Sequence, residues 1–129
     1  MAVKKFPTVR SAYKSMTVAA LLAGEIVVPA AADRQYTVLD VWCRSTGGFA
    51  AGVHVTLTDG HTTVCTFNHE AMTDAAIVRA GATNTVATNL LTALAVNHPI
   101  TVSSDNLDTT GSVFEIQVDY AVSNVSETA

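Results

Sequence analysis

The sequence predicts an all-β domain, a sandwich or barrel, on three observations. Val and Thr are abundant, 18 of each among 129 residues, and their branched side chains suit a pleated surface. The segment Val113–Val122 alternates without a break. Phe114, Ile116, Val118, Tyr120 and Val122 fall on one face, and Glu115, Gln117, Asp119 and Ala121 on the other. Short apolar runs recur between turn signals every 8–15 residues, the rhythm of a sandwich or barrel. The length fits one domain. Lys and Glu are scarce, which argues against a coiled coil or helix bundle. Charged residues make up 14% and hydrophobic ones 49%, so most of the chain is not of disordered composition.

The elements follow in order. Residues 1–14 read as an extended basic arm. Met16–Leu22 is apolar and ends at Gly24, compatible with a strand or with one helical turn. Glu25–Val28 is a strand closed by Pro29. Tyr36–Arg44 is a long strand with apolar groups on both faces, which predicts a central strand covered on both sides. Val53–Phe67 reads as a hairpin around Asp59-Gly60. A two-residue type I′ turn there pairs Thr58 with His61, Leu57 with Thr62, Val55 with Val64 and His54 with Cys65. Asn68–Gly81 is ambiguous between a helical turn and a loop leading into a short strand, Ala76–Arg79. Thr83–Leu91 and Ile100–Ser103 are further strands, the second started by Pro99. Val113–Val122 closes the domain, which spans 15–123, and 124–129 is a flexible tail. The expected core is Leu39, Val41, Cys43, Val53, Val55, Leu57, Val64, Phe114, Ile116, Val118 and Tyr120.

Charge is unevenly distributed. Lys4, Lys5, Arg10 and Lys14 place four positive charges in the first 14 residues with no acid. The remainder sets three arginines against all eleven acids, a balance of −8. A basic arm on an acidic body reads either as a docking segment that pairs with acidic groups on a neighbour or as a solvated tail. At about 3.3 Å per residue, such an arm reaches roughly 40 Å. Nucleic acid is disfavoured as a partner, because the body repels phosphate and four charges release few counterions. No apolar stretch is long enough for a transmembrane helix, so no membrane partner is expected. Glu25 interrupts the apolar run after the basic segment, which argues against a cleaved leader. Cys43 and Cys65 are too few for a disulfide framework and lie in apolar strands, so they are expected buried and reduced.

Candidate chemistry is thin. His54, His61 and Cys65 share one face of the predicted hairpin, but no fourth ligand is evident. His69-Glu70 begins like a zincin helix, yet Thr73 stands where the second histidine must be. Ser45-Thr46-Gly47-Gly48 lacks the frame of a nucleophile elbow or a P-loop. Asp105 and Asp108 fit an Asx-type turn. No acid–base or nucleophile set survives, so no enzyme activity, cofactor or metal is expected. Trp42, on a strand between Asp40 and Arg44, is a candidate for an intersubunit contact together with Arg44, since Trp and Arg are enriched in hot spots, and equally for a core position.

The stretch Asp33-Arg34-Gln35-Tyr36-Thr37-Val38-Leu39-Asp40-Val41-Trp42-Cys43-Arg44-Ser45-Thr46-Gly47-Gly48 resembles a D-R-x-Y-x-V-x-D-x-W-x-R-x-x-G-G pattern of small structural proteins of tailed bacteriophages. Arg79-Ala80-Gly81-Ala82, Asn89–Leu94 and Asp119-Tyr120 are similar to the same group, so the resemblance spans roughly residues 15–122. It implies a single-domain β-sandwich of jelly-roll type, acting as a capsid decoration, or cement, protein. Such a protein binds the outer surface of an icosahedral head and bridges major capsid subunits. It would be a virion component assembled in the host bacterial cytoplasm. A homo-oligomer, dimer or trimer, would gain avidity from each added contact. The family supplies no catalytic residues. Competing readings are a head–tail connector, tail or fibre-base module, and a carbohydrate-binding jelly roll. The latter is disfavoured by one Trp and three Tyr.

Overall fold

Alternation along the last strand organises the molecule, because its apolar side needs a second sheet to cover it. The computed structural model describes residues 8–125. The strands are β1 (Thr8–Thr17), β2 (Glu25–Val28), β3 (Arg34–Thr46), β4 (His54–Thr58), β5 (Thr63–Asn68), β6 (Val78–Arg79), β7 (Thr85–Val86), β8 (Ile100–Ser104) and β9 (Val113–Asn124). One antiparallel sheet has the order β1-β9-β3-β6 and the other β2-β8-β4-β5-β7. The predicted all-β sandwich is therefore what forms. Between the sheets lie Phe114, Ile116 and Val118 of β9, Val38, Val41 and Cys43 of β3, and Val55, Leu57, Phe67, Ile100 and Val102 of the facing sheet, all fully buried.

A helix α1 (Val18–Ala23) separates β1 from β2. Thr17 caps it through its hydroxyl on the Ala20 N–H, and Gly24 at φ 95° ends it, a conformation open to glycine. Both readings of Met16–Leu22 thus hold in part: Met16 closes a strand and the rest forms a helical turn. Leu21 carries the helix into the core.

Four sequence expectations change. First, Leu39 is half-buried, not core, and β3 is not covered on both faces by sheets. A bulge between Val38 and Asp40 shifts the register against β9, so Tyr36 and Val38 face inward before it and Val41, Cys43 and Ser45 after it. The bulge adds one residue and flips the phase. That is why both faces of the sequence look apolar.

Second, the β4–β5 register differs. Thr58 pairs with Thr63, Leu57 with Cys65, Val55 with Phe67 and His54 with Asn68, with an irregularity after Leu57. The cause is the Asp59 side chain. Its Oδ1 accepts the N–H groups of His61 and Thr62 at 2.9 and 2.6 Å. Residues 59–62 therefore close as a longer Asx-type loop, with Gly60 at φ 96°, instead of a two-residue turn.

Third, Thr83–Leu91 is mostly irregular, with only Thr85–Val86 as strand. The Asn68–Gly81 segment holds a single 3-10 turn, His69–Ala71, and the short β6.

Fourth, the arm does not extend to residue 14. Thr8–Thr17 is paired along its length with β9, from Thr8↔Val122 to Thr17↔Val113. It is extended, as expected, but it belongs to the sheet. At the other terminus, β9 continues to Asn124, and the Val125 N–H donates to Asp33 O. The tail beyond that, like Lys4 and Lys5, lies outside the described residues.

Candidate interaction face on the four-stranded sheet

The outward side of β1, β9, β3 and β6 presents rows of side chains set by register. Tyr13, Gln117, Trp42 and Arg79 form one row across all four strands. Ser11, Asp119 and Asp40 lie on one side of it, and Ser15, Glu115 and Arg44 on the other. The rings of Tyr13 and Trp42 lean together at a centroid distance of 6.3 Å and a 44° tilt. Tyr13 is 56% exposed.

Ion pairs and hydrogen bonds fix the polar groups around these rings. Arg44 Nη2 donates to both carboxylate oxygens of Glu115 at 2.9 Å. Tyr13 Oη donates to Glu115 Oε2 at 2.8 Å. These two hydrogen bonds, Arg44 first and Tyr13 second, hold the Glu115 carboxyl below its usual range. The same bond to Glu115 raises the Tyr13 hydroxyl. Arg79 Nη1 meets Asp40 Oδ2 at 2.6 Å, and Ser11 donates to Asp119 at 2.6 Å. Arg44 Nε is buried without a hydrogen-bond partner. The face is a pre-ordered platform of Tyr, Trp and Arg with a polar surround, the composition of an interface hot spot. It offers contact area and hydrogen bonds.

The structure divides the six residues singled out on sequence. Trp42 and Arg44 stand together at the centre of this face. Arg10 and Lys14 do not join them: alternation along β1 turns both toward the sandwich interior side, in register with Tyr120 and Ile116. Lys14 Nζ reaches across to β2, 3.2 Å from Glu25 Oε2 and donating to Ile26 O at 3.0 Å. It ties the edges of the two sheets together and is not available as a docking cation. Charged residues pointing inward on an edge strand also discourage unwanted strand pairing. Lys4 and Lys5 lie outside the described residues. Sequence reasoning missed Tyr13, Glu115, Gln117 and Arg79. The polar side of β9 was visible as a pattern, but its partners on β1 and β3 emerge only from register.

The other candidates separate. His54, expected beside Cys65, instead holds Asp105: the Asp105 carboxylate accepts the His54 N–H at 2.7 Å and lies 2.9 Å from its Nδ1. His61 sits at the β4–β5 loop and stacks edge-on against His98 at 4.7 Å. Cys65 and Cys43 are free and buried. Burial pushes the Cys65 thiol up to about 12 and raises the Cys43 thiol well above its usual range. Among the described residues, no group of three or more His, Cys, Asp or Glu is arranged to hold a metal ion. No described helix is long and apolar enough to cross a membrane. The acidic turn is structural: Asp108 accepts the N–H groups of Ala50, Thr110 and Gly111. A Cβ on Gly111 would meet Asp108 Oδ2 and, at 2.5 Å, Gly48 O.

No protein-family model matches the chain, and no curated protein matches it. Among solved structures, it is similar to a chain of the cyanophage Pam1 capsid asymmetric unit. That similarity has a TM-score of 0.43 and 14% identity, over 94% of this chain and 91% of that one. A likeness of this size assigns no function.

Proposed function

We propose that this protein is a structural component of a tailed-bacteriophage virion, a decoration protein seated on the outer surface of the head. The observation that carries the reading is where the resemblance falls in the fold. Asp33–Gly48 is β3 with its closing turn, and its outward residues Asp40, Trp42 and Arg44 form the middle of the exposed aromatic face. Tyr36 and Val38 of the motif face inward and serve the fold, while Asp40, Trp42 and Arg44 face outward, where a partner would meet them. The strand orders support a jelly-roll module: the chain passes from one sheet to the other at each step from β1 to β4, as interlocked Greek keys require. The role assigned is mechanical. Burying this face on the major capsid protein, in a dimer or trimer that touches several subunits, adds avidity to the shell. It involves no catalytic step and no cofactor.

The test is co-sedimentation with capsids that lack the protein. The wild-type chain is expected to bind, and Trp42→Ala, at a half-exposed site, to keep its fold and bind about 30-fold or more weakly, the effect of a 2 kcal/mol hot spot. Failure of the wild-type chain to bind would contradict the decoration reading. Full binding by Trp42→Ala would place the contact on another face.

A further inference from the structure

The two ends of the sandwich carry opposite charge. At one end β1 begins (Thr8), β3 begins (Arg34) and β9 finishes (Asn124). Arg10 and Arg34 flank Tyr36 there, and both lower its hydroxyl electrostatically, against the larger raising effect of burial. Asp33 is the exposed acid at this end among the described residues. Asp59, the other acid, is buried and spent on backbone N–H groups.

At the opposite end β3 finishes (Thr46) and β9 begins (Val113). The loops here expose Glu70, Asp74 and Asp105. The nearest cations, Lys14 and Arg44, are held on Glu25 and Glu115. Each end also exposes apolar side chains. Val9, Val96 and Val125 are 64%, 37% and 39% exposed at the basic end, and Leu22, Leu107 and Val113 are 40%, 50% and 36% exposed at the acidic end.

We infer that the basic end of one copy docks on the acidic end of a second copy, so that the protein self-associates head to tail. The occupant follows from charge complementarity. Like charges would meet if two basic or two acidic ends faced each other, and such juxtaposition is strongly disfavoured. Only the heterologous arrangement brings Arg10 and Arg34 against Glu70, Asp74 and Asp105, with apolar groups on both surfaces. A heterologous contact does not close as a two-fold dimer; it closes as a ring or runs on. Of the dimer and trimer considered above, it selects the trimer as the smallest ring. The inference concerns the free protein and does not rest on the capsid reading.

Two variants test it, one for each end. Arg10→Glu with Arg34→Glu reverses the basic end. Glu70→Lys with Asp105→Asn alters the acidic end while leaving an oxygen to accept the His54 N–H. Circular dichroism confirms that each is folded, and Arg10→Gln with Arg34→Gln is the milder substitute should the reversal unfold the chain. Sedimentation velocity is then run at about 0.01 M and about 1 M salt, where the Debye length is roughly 30 and 3 Å. The wild-type protein is expected to associate at low salt and to dissociate by about tenfold or more in Kd at high salt. Each variant alone should stay monomeric. For mixing, Arg10→Gln with Arg34→Gln replaces the reversal, so that the two altered ends do not carry opposite charges; it and the acidic-end variant should form a one-to-one complex that grows no further, because one intact basic end then meets one intact acidic end. A wild-type protein that remains monomeric at low salt, an association indifferent to salt, or a mixture that stays monomeric would each overturn the inference.

Discussion

Asp59 shows how much one side chain decides. Its carboxylate is buried and accepts the N–H groups of His61, Thr62 and Ala95, the last at 3.1 Å. It therefore shapes the β4–β5 loop and pins it to the segment before β8. Burial alone would raise its pKa, but the backbone donors outweigh it and the net shift is downward. A carboxylate depressed in the folded state adds stability above its unfolded pKa, near 3.9, and that stability is lost as pH falls through the folded value. Asp59→Ala leaves three N–H groups without their acceptor and is expected to cost about 2–3 kcal/mol in chemical denaturation at pH 7. The cost should shrink as the pH is lowered below about 4. An equal cost at pH 7 and pH 3 would show that the carboxylate charge plays no part. The buried thiols make a second prediction at this scale. Cys43 and Cys65 should resist alkylation in the native protein and give two free thiols per chain after denaturation without reductant. Zero free thiols would contradict the free pair.

At the scale of elements, β9 and β3 show what a sequence reveals and what it hides. The ten-residue alternation of β9 was legible because both its neighbours leave its polar side open. β3 was legible as a strand but not as a bulged one, since a bulge at Leu39 and a strand buried on both sides produce the same string of apolar residues. The Asp59-Gly60 hairpin was legible, but its register was not. Loop length here depends on a side chain that bonds its own backbone, which residue identity alone does not disclose. Trp42 and Arg44 could be picked out as candidates one at a time. Their joining with Tyr13 and Glu115 depends on two strand pairings between residues about 70–100 positions apart. Four cations without an acid make residues 1–14 read as an arm, although from Thr8 on Arg10 and Lys14 belong to a strand. They are tolerated because an edge strand lets long cationic side chains turn back toward solvent or a partner. This moves the boundary for truncation. Removing residues 2–14 deletes most of β1, uncovers the flank of β9 and should abolish cooperative thermal unfolding. Removing residues 2–7 should leave the melting transition within a few degrees of wild type. Equal transitions for the two truncations would mean that β1 is dispensable.

The molecule as a whole is a small, charge-poor sandwich whose chemistry lies in surfaces. Of its buried polar groups among the described residues, Ser45, Asp59 and Asp108 bond to loop backbone, while the Ser104 hydroxyl on β8 has no hydrogen-bond partner. Its outward features are an ordered aromatic face on one sheet and a charge difference between its two ends. Both suit a part that is placed in a repeating array, since a face gives adhesion to a lattice and polarity gives a direction. The measurement that tests the proposed virion role most directly is cryo-electron microscopy of particles produced from the genome that encodes this chain. The account predicts density for the sandwich on the outside of the head, in hundreds of copies, with Tyr13 and Trp42 against the major capsid protein. Density confined to the neck or tail, at about a dozen copies or fewer, or none on the particle, would contradict it.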